Sequence, residues 1–290
     1  MIEKRLKLKN NIEINLKDNQ KDKPALLFLH FDSANLHMWD GLIPHFKDDY
    51  RLLMPDLRGH GKSSKPDHGY RIEDLAIDMQ LLLKELKVDS FYVIGSSMGA
   101  EVGTVLAAES SNKVKAIINE GALYKKIGKS SIKKDNIEQT EKINEKLNEI
   151  DKKREEYYQT EQEYIETQKR FFQRAGLWNN YFETYIENNV CKTDQSKYRS
   201  CHPVYAYKEY LKNYINFDFA EYYKKINCPV LFLPDRYEWE NENIKASIES
   251  FGKLAGHYEI KILKGFIHEY GWMNVPKKSA QLVQGFIKKY

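Results

Sequence analysis

Apolar residues along the chain fall into blocks of two kinds. Between Leu6 and Leu16 they alternate with polar residues around Asn10-Asn11, the period of an antiparallel hairpin. Ala25–Leu29, Arg51–Met54, Phe91–Ile94 and Val114–Ile118 are instead nearly continuous apolar runs. Such runs fit strands buried on both faces, as in a parallel sheet. Between them Ile72, Leu75, Ala76, Met79, Leu82, Leu83 and Leu86 recur at the spacing of an amphipathic helix. Met98–Glu109 reads as a second helix, rich in small residues. Strands alternating with helices predict an α/β fold, a mostly parallel sheet with helices on both faces.

The alternation breaks near Tyr124. From there to about Ile215 the chain is polar and helical, with almost no strand signal. Ile143, Leu147, Ile150, Tyr157 and Tyr164 lie three, four or seven apart, the narrow stripe of a surface helix packed on one side. Beyond Asn216 the alternation resumes. Val230–Leu233 and Tyr258–Leu263 read as strands, Asn241–Leu254 and Ser279–Lys289 as helices. The pattern predicts a core of residues 1–124 and 216–290, split by an inserted helical cap at 125–215.

Composition changes this picture little. The 290 residues are 41% hydrophobic, enough for a sizeable core without metals or disulfides. Basic and acidic residues number 46 and 42, and the lysines are scattered. No basic tract of the kind that grips nucleic acid is present. Met1–Asn10 is charged and alternating, unlike a signal peptide, and no apolar run is long enough to cross a membrane. Cys191, Cys201 and Cys228 are too few for a disulfide framework. Cys191 and Cys201 could pair, but reduced thiols and a cytoplasmic location are the expectation.

Chemistry concentrates at Gly95-Ser96-Ser97-Met98-Gly99, which fits G-x-S-x-G and sits between the strand Phe91–Ile94 and the small-residue helix. A sharp turn there leaves no room for side chains at 95 and 99 and lifts the Ser97 hydroxyl above the sheet edge. A serine hydroxyl needs an adjacent base, and the chain order expected is serine, acid, histidine. His268 follows the last strand, whereas His257 precedes it and falls at the opposite edge of a parallel sheet. Ser97 and His268 are therefore the expected nucleophile and base. No G-x-G-x-x-G, no G-x-x-x-x-G-K-[ST] and no histidine–carboxylate pair at zinc-ligand spacing is present, so neither cofactor nor metal is implied.

With these residues in place the chain resembles the α/β-hydrolase superfamily, its lid-bearing esterase-like branch, over nearly everything outside the inserted module. Leu29-His30 with Trp39 resembles the family's oxyanion loop, and Asp56-Leu57-Arg58-Gly59-His60-Gly61-Lys62-Ser63-Ser64 its D-x-R-G-x-G-x-S block. Cys228–Leu233 resembles the proline-led strand before the acid, and Gly265, His268 and Pro276 the histidine loop. The resemblance implies an oxyanion hole from the Met98 N–H plus one at Phe31 or Asp32. Phe31 stands where the family usually has glycine. The family's acid, nine residues past the proline, falls on Glu238, with Asp235 in reserve and Glu240 third.

The expected activity is hydrolysis of an ester or similarly activated acyl group through an acyl-enzyme. The expected substrate is a small molecule with an apolar part, met by cap aromatics such as Trp178 and Tyr207. Rivals within enzymes are thioesterase, lactonase, aminopeptidase, carbon–carbon hydrolase and acyltransferase. A haloalkane dehalogenase is disfavoured because that chemistry carries an aspartate at the elbow. A ligand-sensing or partner-binding protein that turns over slowly is the alternative from another class. The sequence does not determine the oligomeric state.

Overall fold

The computed structural model describes residues 1–121, 141, 144–145, 147–150, 156–214 and 217–290. Eight strands form one sheet: β1 (Ile2–Lys7), β2 (Glu13–Asp18), β3 (Ala25–Leu29), β4 (Arg51–Pro55), β5 (Phe91–Ser96), β6 (Val114–Glu120), β9 (Val230–Phe232) and β10 (Tyr258–Ile260). Their order across the sheet is β1-β2-β4-β3-β5-β6-β9-β10. The β1–β2 hairpin is antiparallel, as the alternation predicts, and β2 pairs antiparallel with β4; every other pairing is parallel.

Successive side chains of a strand point to opposite faces, so each buried run feeds two cores. In β3, Leu27 and Leu29 join Met79, Leu82, Val102 and Val105 on one face. Leu26 and Phe28 join Trp39, Phe46, Val283 and Phe286 on the other. The helices Ile72–Glu85, Met98–Glu109 and Glu242–Ala255 cover the first face, and Pro276–Ile287 the second. Each fully buried Leu, Val or Phe of this kind stabilises the fold by about 1.5–3 kcal/mol.

Between β6 and β9 the described elements are the helices Glu161–Arg174, Asn180–Glu187, Val204–Tyr214 and Phe219–Tyr223, with a hairpin of β7 (Val190–Lys192) and β8 (Tyr198–Ser200). Three expectations are corrected here. The segment holds strands, because β7 and β8 pair with each other and need no apolar run. The stripe from Leu147 to Tyr164 is not one helix: Tyr158 pairs with Tyr198 in an extended bridge, and Thr160 caps a new helix start. Ile143 lies outside the described residues. Thirdly, Cys191 and Cys201 form a disulfide, since the hairpin register brings their Cα atoms to 4.9 Å. Cys228 remains a buried thiol. Among the described residues no helix is long and apolar enough to cross a membrane.

Candidate active site

β5 runs straight into the helix Met98–Glu109 through Ser97, whose φ of 51° and ψ of −119° lie where non-glycine residues are strained. Small neighbours make the turn possible. A Cβ at Gly99 would collide with the Leu29 carbonyl of β3, and one at Gly95 with the Ala100 backbone. The Ser97 N–H donates to the Glu120 carbonyl at 2.7 Å, tying the turn to the end of β6. Ser97 is half-buried and lines a cavity of about 970 Å³ that also holds Phe31, Asp32, Asp235, Glu238 and His268. Met98 is the first helical residue, so its N–H has no acceptor within the helix.

His268 lies beyond β10 and closes over Gly121, where a Cβ would collide with its ring. Its Nδ1 is 2.9 Å from Glu120 Oε1 and 3.2 Å from Glu238 Oε1, and its Nε2 is 3.4 Å from Glu269 Oε1. The Nδ1 contacts are electrostatic and not aligned along the ring N–H. No hydrogen bond joins Ser97 to His268, although they share the cavity. Asp235 does not meet the ring. It caps the short helix Arg236–Glu240, accepts the Glu238 N–H at 2.8 Å and accepts the His268 backbone N–H at 3.2 Å. Glu238 closes the same cap by accepting the Asp235 N–H through Oε2, leaving Oε1 for the imidazole. Glu240 points elsewhere, to Arg236 at 2.7 Å.

The residue that sequence reasoning missed is Glu120, fully buried at the end of β6. Ser96 Oγ and Trp272 Nε1 donate to its Oε2, at 2.5 and 3.2 Å, and the Glu269 N–H donates to its Oε1 at 3.1 Å. A signal was available. An acid ending a buried parallel strand beside the elbow strand sits at the sheet edge where such folds place their sites. Burial works against its charge, yet the charge and contact of His268, with these donors, hold its pKa below the usual value. Burial likewise disfavours the charged imidazole, but Glu120, then Glu269 and Glu238, outweigh it and raise His268. Glu238 goes the other way: burial lifts its carboxyl to about 7.

The loop after β3 is held from below. His30 Nε2 accepts the Leu57 N–H at 2.9 Å, so Nδ1 carries the proton and donates to the Phe31 carbonyl at 2.8 Å. Phe31 itself is buried edge-on against Tyr270 at 5.7 Å, filling space a glycine would leave open. The D-x-R-G block braces this loop. Asp56 accepts the Leu36 and Lys62 N–H groups, while Arg58 pairs with buried Asp78 at 2.5 Å. Gly61, at positive φ, leaves no room for a Cβ against Asp56.

Tyr207 lines the cavity, with Phe172, Tyr185 and Tyr210. Trp178 does not, which corrects that expectation: it packs beneath Lys169, 5.4 Å from the ring centre, and against the core. Asp32, His60 and His202 form a group able to hold a metal ion, their ligand atoms all within 4.8 Å of one another. Zinc-ligand spacing along the chain could not reveal it, because the three come from distant segments.

The model of a protein family described as having the alpha/beta hydrolase fold matches residues 24–262. The chain is 38% identical over 99 residues to 3-oxoadipate enol-lactonase 2 of Acinetobacter baylyi, covering 34% of this chain and 37% of that protein. It is 36% identical over 96 residues to a fluoroacetate dehalogenase of a Burkholderia species, covering 31% and 32%. These matches span about a third of the relatives' length. Among solved structures, E-2-(acetamidomethylene)succinate hydrolase superposes with a TM-score of 0.77 at 18% identity, covering 99% of both chains. The thioesterase domain from the curacin biosynthetic pathway superposes at 0.74 with 17% identity, covering 99% of this chain and 98% of that one. With the sheet order, the strand-to-helix turn and a family match across most of its length, the chain belongs to the α/β-hydrolase fold family.

Proposed function

We propose that this protein is a serine hydrolase that cleaves an ester or similarly activated acyl group through an acyl-enzyme at Ser97. The observation that carries the reading is a strained serine at the elbow, sharing one cavity with a histidine whose Nδ1 faces two carboxylates. Ser97 Oγ attacks the acyl carbonyl while His268 Nε2 takes its proton. Substrate entry moves the Glu269 carboxylate off Nε2 so that the ring reaches Ser97; such contacts often tighten only in the substrate complex. Glu120 stabilises the imidazolium, being nearer and kept ionised, and Glu238 is the second carboxylate. The Met98 N–H, with that of Phe31 or Asp32, steadies the oxyanion. The leaving alcohol takes the proton, and a water activated by His268 then releases the acid.

Relatives named as a lactonase, a dehalogenase and a thioesterase leave the substrate to the cavity. Its aromatic walls suit an acyl or alcohol group with an apolar part. The helices between β6 and β9 act as a cap over it. The Cys191–Cys201 bridge favours an oxidising compartment over the cytoplasm first expected. A fluorophosphonate should add once to the chain by intact mass, and an activated ester should show a burst followed by turnover. Both should vanish in Ser97→Ala, and labelling that persists there sinks the assignment. The second reading, a slow-turnover sensor, is favoured by Nε2 resting on Glu269; a burst without turnover would support it.

A further inference from the structure

The loops after β3 and β4 and the segment before the helix Val204–Tyr214 bring together Asp32, His60 and His202, none of which the proposed reaction uses as an acid or base. His60 is 1% exposed and His202 9%. His60 Nδ1 lies 2.9 Å from the Arg58 carbonyl and His202 Nδ1 3.0 Å from the Gly59 carbonyl. A carbonyl oxygen only accepts, so both Nδ1 atoms carry protons, and in the neutral rings both Nε2 atoms present lone pairs. The rings stack 4.0 Å apart, and each Nε2 turns to Asp32 Oδ1, at 3.6 Å from His60 and 3.3 Å from His202. All three atoms are buried without a hydrogen-bond partner. Ser33 Oγ donates to the other carboxylate oxygen at 3.0 Å, fixing the side chain. Three convergent acceptors with no donor between them repel one another unless a proton or a metal ion sits among them.

We propose that Asp32, His60 and His202 form a binding site for a divalent metal ion of the zinc class in the wall of the Ser97 cavity. A tetrahedral zinc with bonds of about 2.0–2.1 Å sets its ligand atoms roughly 3.3–3.4 Å apart, and both measured separations fall close to that. Each imidazole already donates its second nitrogen to a backbone carbonyl, the arrangement that orients histidine ligands. Neutral nitrogens with one carboxylate suit zinc better than calcium or magnesium, which take oxygen ligands. Three protein ligands leave a fourth place for water or a substrate oxygen. Asp32 and His202 also line the cavity. A bound ion would pin the loop after β3 to the segment before the helix Val204–Tyr214.

The test is calorimetric titration of the chelator-stripped full chain with Zn²⁺ alone, repeated with Co²⁺ to read the visible spectrum. One ion should bind per chain, with the intense absorption of a four-coordinate site under Co²⁺. Asp32→Asn and His202→Gln should each weaken binding tenfold or more, with circular dichroism confirming the fold. Zn²⁺ should raise the Tm of the wild type but not of His202→Gln. His268→Gln should bind as the wild type does, which separates this site from the carboxylates around His268. Ser97→Ala should also bind normally, so the proposal stands or falls independently of the acyl-enzyme. No binding, binding that survives both Asp32→Asn and His202→Gln, or binding lost in His268→Gln would each overturn it.

Discussion

Glu120 and Glu238 flank the same imidazole nitrogen, and their environments push them in opposite directions. Glu120 keeps its charge through three donors and the ring, whereas burial dominates at Glu238. Glu120→Gln should therefore lower kcat on the order of a hundredfold or more, as when a triad acid is neutralised. Glu238→Gln should cost less than about tenfold, and paired kinetics of the two variants check this. The pH profile follows from the same charges. His268 must be neutral to act as base, and its carboxylate neighbours raise its pKa above the ordinary 6.5. Thus kcat/KM should rise with pH along a limb above that of a free imidazole, and Glu120→Gln should shift the limb to lower pH. Stability carries opposite signs at the two acids. The lowered Glu120 contributes stability above its unfolded pKa that is lost as pH falls, so Glu120→Gln should lower Tm at pH 8. The raised Glu238 is costly to ionise once pH exceeds its unfolded value, and between about 4.5 and 7 that cost grows. Glu238→Gln should then leave Tm at pH 8 unchanged or higher.

Single elements carry their own consequences. The β7–β8 hairpin is three residues per strand and, among the described residues, joins no larger sheet, too short to persist alone in water. The Cys191–Cys201 bridge closes it across a sequence separation of 10. A loop of that length corresponds to about 2–3 kcal/mol of stabilisation in the chain-entropy account. Urea unfolding of Cys191→Ser with Cys201→Ser, against wild type, should show a loss of that order. Wild type in reductant should move toward the double variant, and coincident curves throughout would mean the hairpin stands on its packing. The elbow helix shows the reverse case, where local sequence suffices. Gly95 and Gly99 are the residues that a strand-to-helix turn beside β3 can accept, and the pentapeptide announces the turn before any tertiary contact is known.

Across the whole molecule, the ends of the sheet strands supply the groups proposed to react, and the segment between β6 and β9 supplies much of the cavity wall. Tyr207→Ala should change the preferred acyl chain length while sparing most of the rate on the smallest ester. Trp178→Ala, away from the cavity, should leave that preference alone; a panel of activated esters checks both. What could be read directly from the residues was whatever depends on near neighbours in sequence. Period-two alternation marked β1 and β2, apolar runs marked the parallel strands, and the turn chemistry marked Ser97. The chain order then pointed to His268. Glu238 followed from a resemblance, and its side chain does reach the ring. The rest depended on groups distant in sequence meeting in space. Glu120 looked like the end of a strand until the fold laid His268, 148 positions later by residue number, against it. The pairing of Cys191 with Cys201 waited on a hairpin register that no apolar pattern encodes. Asp32, His60 and His202 carry no common spacing, and converge only because two loops at one sheet edge meet the segment packed over them. Local sequence determines backbone preference and burial; the direction in which buried polar atoms face, and hence their chemistry, is decided by packing.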